Sequence, residues 1–129
     1  MSQYGKTDLK DSNGLTRILT DDGLAQFGDA LLNFAFSTAL TRKTGRPTGT
    51  RVADKTLAEA AVTAGLRKHL PRRIGRGDVA NSVEALVGFV WLQHHITLEE
   101  IVECFKAEDK GPSRSFARLA ELALTRLER

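Results

Sequence analysis

Two isolated carboxylates are the residues of this chain best placed to do chemistry. Asp29 is the only charged residue between Asp22 and Arg42, and the string around it, LAQFGDALLNFAFSTAL, is apolar on most sides. Glu84 repeats the pattern: it is the only charged residue between Asp78 and Glu99, inside VANSVEALVGFVWL. A buried ionised carboxylate without a partner costs several kcal/mol or more, so each acid needs a cation or a raised pKa. Three surroundings satisfy that need. One is a structural salt bridge with a basic side chain from the 42–76 stretch. Another is a hard divalent cation shared between two helices, since Mg²⁺ takes oxygen ligands, keeps several waters and needs only one or two carboxylates. The third is a solvated groove with no ligand.

The elements that must position these acids read as helices, because strict alternation and β-branched runs are nearly absent. Gln26, Asp29, Asn33 and Ser37 recur at i, i+3, i+7 and i+11, one thin polar stripe on a helix otherwise patterned for burial. That helix starts at Thr20-Asp21-Asp22, which supply N-cap chemistry, and ends near Gly45. Asn81 and Gly88 share a face with Glu84 on a second helix, expected from Asp78 to about His94. Between them, residues 45–53 form a Gly/Pro loop, Asp54 opens a helix to about Ala64, and a basic stretch over 66–77 is broken by Pro71, Gly75 and Gly77. Thr97 and Glu100 form a capping box for a helix through Lys106, and an amphipathic helix bearing Phe116, Leu119, Leu122 and Leu124 closes the chain. The polar opening, residues 1–18, holds one short helix. Six or seven helices in one all-α domain over residues 1–129 are expected, with the motif-bearing core at about 20–105 and the last helix at about 112–128.

Length and composition agree. The chain has 129 residues, 41% hydrophobic and 27% charged, enough for one buried core. A single cysteine, Cys104, excludes an intramolecular disulfide and a cysteine-rich zinc site, and points to a reducing, cytoplasmic location. No secretory signal is read, because Met1 to Asp11 are polar, and no membrane span, because the apolar stretches Leu24–Leu40 and Val79–Leu92 are each interrupted by a carboxylate. Ten basic residues lie from Arg42 to Arg76 against only Asp54 and Glu59, while the remainder has nine basic and fourteen acidic residues. One side of the molecule is therefore suited to a polyanion, or is a solvated basic face.

The string FGDALLNFAF resembles the signature helix of the ribonuclease III family, whose motif ends in L-G-D, a small residue and aliphatics. NSVEALVGFVWL is similar to that family's second acidic motif, D-x-x-E-A-L-I-G, and Arg51, Leu57, Ala58, Ala61, Gly65 and Leu66 match the stretch between them. The resemblance covers roughly residues 20–105. It implies a ribonuclease III endonuclease-like helical bundle and a Mg²⁺- or Mn²⁺-dependent hydrolase that cleaves phosphodiester bonds in double-stranded or structured RNA. Asp29 and Glu84 match the family's catalytic, metal-binding aspartate and glutamate.

Two positions depart from that pattern. Ala25 stands where the motif has a further glutamate, and Asn81 where it has an aspartate. Minimal bacterial members lacking an RNA-binding domain also lack the first of these acids, and some small archaeal proteins share the G-R-P-T-G turn of Gly45–Gly49. Asn81 can offer an amide oxygen, and Asp78, one turn earlier, can substitute. Arg46, Arg51, Arg72, Arg73 and Arg76 are the candidate RNA-binding residues. Dimerisation through the signature helix, which the resemblance implies, assigns Phe27, Gly28, Leu31, Phe34 and Ala35 to a homodimer interface. Gly28, Ala30 and Ala35 suit close packing there, and equally the centre of a monomeric bundle. Two other functions compete: a ribonuclease III-like RNA-binding or dimerisation module eroded at Ala25 and Asn81, and a helical adaptor without nucleic acid.

Other signals carry less. GRPTGTR lacks the G-K-[ST] of a Walker loop, and His94 and His95 suit a helix end rather than a metal. Trp91 and the phenylalanines are spaced as core residues, and Cys104 reads as a small buried apolar side chain.

Overall fold

The computed structural model describes residues 12–106 and 110–127; residues 1–11 of the polar opening lie outside them. Six α-helices follow in order: α1 (Ser12–Leu19), α2 (Asp22–Thr44), α3 (Asp54–Thr63), α4 (Arg76–Leu92), α5 (Leu98–Lys106) and α6 (Pro112–Arg126), with a 3₁₀ turn at Arg67–His69. No strand occurs among the described residues. The all-α class read from the sequence holds.

α4 is the axis of the bundle. From Val79 to Val90 every residue except Asn81 is buried, and α1, α2, α3 and α6 all pack on it. A helix apolar on all sides is stable only when enclosed in this way. α2 is its most extensive partner, and the two backbones nearly touch. A Cβ at Gly28 would overlap the main-chain carbonyl of Glu84, and one at Gly88 would lie 3.1 Å from the Leu24 carbonyl oxygen. These two glycines let α2 and α4 cross closely, so the acid-bearing turns lie side by side. On the other side, Phe36, Phe105 and Phe116 join α2, α5 and α6 with ring centroids 4.8–5.7 Å apart.

Helix ends follow local chemistry, with some shifts. Asp21 caps α2 by accepting from the Leu24 N–H at 2.8 Å, and Gly45 closes it through an N–H bond to Thr41 O. The Thr97–Glu100 capping box forms, with Thr97 N–H to Glu100 at 2.9 Å and Glu100 N–H to Thr97 at 3.1 Å. Asp54 and Asp78 are not caps: Ala53 and Gly75 hold those positions, neither with a side-chain cap bond, and the acids fall in the first turns. There a carboxylate still favours the helix dipole, so the same residue type suits either position. α4 stops at Leu92 rather than His94, which takes φ 63° in the following turn.

The aromatic pattern needs a further correction. Phe27 and Phe34 are not core residues: they are 37% and 59% exposed, on the outward face of α2. Phe27 instead stacks against Trp91, at a centroid distance of 5.6 Å. Among the described residues, no helix is long and apolar enough to cross a membrane.

Candidate active site

The polar stripe of α2 has two uses. Its later members hold the 45–53 loop: Asn33 accepts from Val52 N–H at 2.7 Å, and Ser37 exchanges two bonds with Thr50, at 2.9 and 3.1 Å. Thr41 continues the row, accepting from Thr48 N–H at 2.9 Å. The loop thus lies along α2 and delivers Arg51 beside Asp29, Nη2 to Oδ2 3.7 Å. Asn33 also donates to Asp29 Oδ1 at 3.2 Å, fixing the carboxylate from within its own helix.

Asp29 and Glu84 face one pocket of about 310 Å³, lined also by Asp22, Ala25, Gln26, Arg51, Asp54 and Asn81. α2 contributes Asp22 and Asp29, the start of α3 contributes Asp54, and α4 contributes Asn81 and Glu84. Four carboxylates and one guanidinium therefore line the pocket; Arg51 pairs with Asp29, and its side chain is 82% exposed.

Glu84 is the unusual member. It is only 5% exposed, and no basic side chain among the described residues pairs with it. Burial, then a hydrogen bond with Asp29 and the charges of Asp29 and Asp54, push its carboxyl up to about 8, against a weak opposing pull from Arg51. Asn81 supports it. The amide is satisfied with its nitrogen donating to Gly77 O at 3.2 Å and to Glu84 Oε1 at 3.1 Å. In that orientation its oxygen is turned away from Glu84. Asp78 does not line this pocket but the adjoining one, with Asp21, Pro71 and Ile74; Asp22, Ala25 and Asn81 line both.

The donor set suits a hard cation. Carboxylate oxygens are the ligands Mg²⁺ and Mn²⁺ prefer, and a pocket that drives Glu84 toward its neutral form favours a positive charge beside it. Among the described residues, no three Asp, Glu, His or Cys side chains gather closely enough to grip an ion directly. Two protein carboxylates with water completing the shell match that geometry.

Except for Arg51, the basic residues read as RNA contacts lie outside the pocket. Arg46, Arg72, Arg73 and Arg76 are exposed, and only Arg51 borders the acids. Arg67 has another task, donating to the carbonyls of Pro71 at 2.8 Å and Arg72 at 2.7 Å. Thr16 Oγ1 donates to His69 O at 2.7 Å, so the 67–76 stretch is tied down at both ends of its 3₁₀ turn. Of the positions read as a dimer face, Gly28 and Ala35 are buried inside this chain, and Leu31 is 9% exposed. Their surface is spent on intrachain packing, leaving Phe27 and Phe34 outward.

The sequence reading missed Asp54 as a pocket residue, because an aspartate opening a helix is ordinary. It missed Arg67 as a clamp because nothing in its spacing separates it from its basic neighbours.

The sequence model of the family described as Ribonuclease III matches residues 22–128, which spans every element of this site. The chain belongs to the ribonuclease III family. A comparison with curated proteins finds no match. Membership implies RNA as the binding partner and RNA endonuclease chemistry as the family's activity.

Proposed function

We propose that this protein is a divalent-metal-dependent endoribonuclease acting on double-stranded or structured RNA. The observation that carries the reading is Glu84: a buried glutamate beside a second acid, with no basic partner among the described residues, in an open pocket. Evolution of a merely stable core would replace or pair such a group. Asp29 and Glu84 would hold Mg²⁺ or Mn²⁺, which when bound supplies Lewis-acid polarisation of the phosphoryl oxygen and an activated water. Asn81 steadies Glu84 by donating to Oε1, and Asn33 steadies Asp29. Arg51 stands where it can leave Asp29 for a phosphate oxygen. Arg72, Arg73 and Arg76, presented by the Arg67 clamp, engage the backbone farther along.

The outward apolar surface of α2 supports a homodimer. Phe27 and Phe34 lie seven residues apart on one face, and Leu92, 43% exposed, lies next to the Trp91 that Phe27 touches. Such a patch favours a partner surface over water.

A second reading, an eroded RNA-binding module, is favoured by Ala25 and Asn81 at acidic positions and by the lack of a three-acid group among the described residues. Cleavage of duplex RNA in Mg²⁺ or Mn²⁺, measured on wild type and on an Ala25→Glu/Asn81→Asp variant, separates the two. Wild-type cleavage supports the enzyme; cleavage by the variant alone supports the relic. Binding has its own test. Neutralising Arg72, Arg73 and Arg76 should lower RNA affinity and flatten its salt dependence, by up to about 0.9 in log–log slope for each phosphate no longer neutralised. An unchanged slope would show that RNA passes elsewhere.

A further inference from the structure

We propose that the cleft where α2, α5 and α6 meet holds one unpaired nucleotide of the bound RNA, its base against Phe36 and Phe105 and its phosphate on Lys43 and Lys106; this rests on RNA being the partner. The cleft, of about 530 Å³, has the size of a small-ligand site and shares no lining residue with the acid pocket. Its wall is aromatic and its rim basic. Phe36 and Phe105 are both partly exposed, with ring centroids 5.3 Å apart, and Leu40 extends the apolar surface beside them. Arg42, Lys43 and Lys106 line the same cleft, and among the described residues no carboxylate does. The three cations are not equally available. Arg42 gives two bonds of 2.9 Å to Glu99. Lys106 reaches Glu103 only at 3.9 Å, an exposed contact of little strength. Lys43 makes no ion pair among the described residues.

A lysine in the last turn of a helix is ordinary, because it favours the dipole there, and Lys43 and Lys106 each stand so. The dipole does not account for their meeting at one cleft, from two different helices, over two partly exposed rings. Rings and cations together are what an unpaired nucleotide uses: the base stacks and the phosphate is neutralised. Position supplies an independent argument. Asp29, Phe36, Leu40 and Lys43 recur at i, i+7, i+11 and i+14, so the cleft continues along the side of α2 that bears the acid. At 1.5 Å per residue, Phe36 lies about 10 Å and Lys43 about 21 Å beyond Asp29. A strand with one phosphate at Arg51, beside Asp29, covers that distance in about three to six nucleotides at the 3.4 Å spacing of a stacked strand.

The test is fluorescence anisotropy of labelled RNA with the full chain, in a chelator so that nothing is cut. Three RNAs share one duplex: blunt, with a single-stranded extension of about six nucleotides at each end, and with the same extension made abasic. Wild type should bind the extended duplex about tenfold more tightly than the blunt one, the scale of stacking a single base. The abasic extension should forfeit most of that gain. Lys43→Ala/Lys106→Ala changes two exposed side chains, should melt like wild type, and should lose the gain as well. Equal affinity for blunt and extended duplex would overturn the proposal. So would an abasic extension as effective as the natural one, or a folded lysine variant that keeps the full gain. Should that variant unfold, folded Lys43→Gln/Lys106→Gln decides by the same criterion. If wild type binds none of the three RNAs, it is RNA as the partner that fails, and the proposal falls with it.

Discussion

Glu84, at the crossing of α2 and α4, and Glu100, in the first turn of α5, are both drawn toward the body of the protein, and their surroundings are opposite. Glu100 receives two bonds from Arg126, at 2.7 and 3.0 Å, and a third from the Thr97 N–H. Those donors, Arg126 foremost, hold its carboxyl down at about 2. Arg126 also donates to His95 O at 3.1 Å, so the pair locks the end of α6 to the turn after α4. Glu84 meets burial and two other acids, and is pushed the other way. The contrast separates a carboxylate that builds the fold from one that the fold tolerates. A structural acid is supplied with donors. An acid kept without a cationic donor, at the edge of a pocket, has no such account from the fold alone.

The largest effect that would break this comparison is an exchange of roles. Glu84→Gln should lower cleavage by roughly three orders of magnitude, because a metal's several kcal/mol of transition-state stabilisation converts at about tenfold per 1.4 kcal/mol. Glu100→Gln should cleave nearly as wild type at a temperature where it is folded. A gel assay on duplex RNA reads both, and the reverse result would assign the chemistry to the wrong glutamate.

Next comes pH. The unfolded chain has both glutamates near 4.5. Folded Glu84 binds its proton more tightly, so its stabilising contribution is present below pH 4.5 and lost as pH rises through about 8. Glu100 runs the other way, contributing above pH 4.5 and losing that contribution as pH falls toward 2. Metal-free melts should therefore show Glu84→Gln gaining on wild type between pH 5 and 9, by on the order of a few kcal/mol at most. Glu100→Gln should lose its disadvantage as the solution is acidified. Parallel curves for all three proteins would dissolve the distinction.

Gly28→Ala probes the same crossing without touching charge. The added methyl meets the Glu84 carbonyl, and the helices must part. Overpacking of this kind costs about 1–3 kcal/mol, and cleavage should fall with the displaced Glu84. Denaturant titration with a cleavage assay measures both, and a neutral result would mean that the helices can part there at little cost.

The smallest effect concerns the other lock. His94 holds φ 63° beside the carbonyl that Arg126 uses. Glycine adopts that conformation without strain but loses more freedom on folding, so His94→Gly should raise Tm by no more than about 3 °C. A clear drop would show the imidazole itself contributes.

Much of this was legible in one dimension. An acid alone in an apolar helix has no local explanation, so Asp29 and Glu84 stood out from spacing. The all-helical class followed from periodicity, since a 3.6-residue pattern requires no knowledge of neighbours. Capping boxes and glycine stops are equally local, which is why α2 and α5 began where their sequences said. What spacing cannot carry is which faces meet. Phe27 and Phe34 share the composition of the core and lie outside it; Gly28 and Ala35, expected at an intermolecular surface, lie within. Asp54 and Asp78 look alike as helix-opening acids, yet only Asp54 lines the pocket of Glu84. Short windows of residues were enough to specify the helices and to expose two acids isolated in apolar sequence, because propensity, capping and charge spacing act over a few neighbours. That a glycine crossing sets those acids side by side, and that α3 brings a third, emerged only from the packed bundle, because nothing local encodes how distant helices meet.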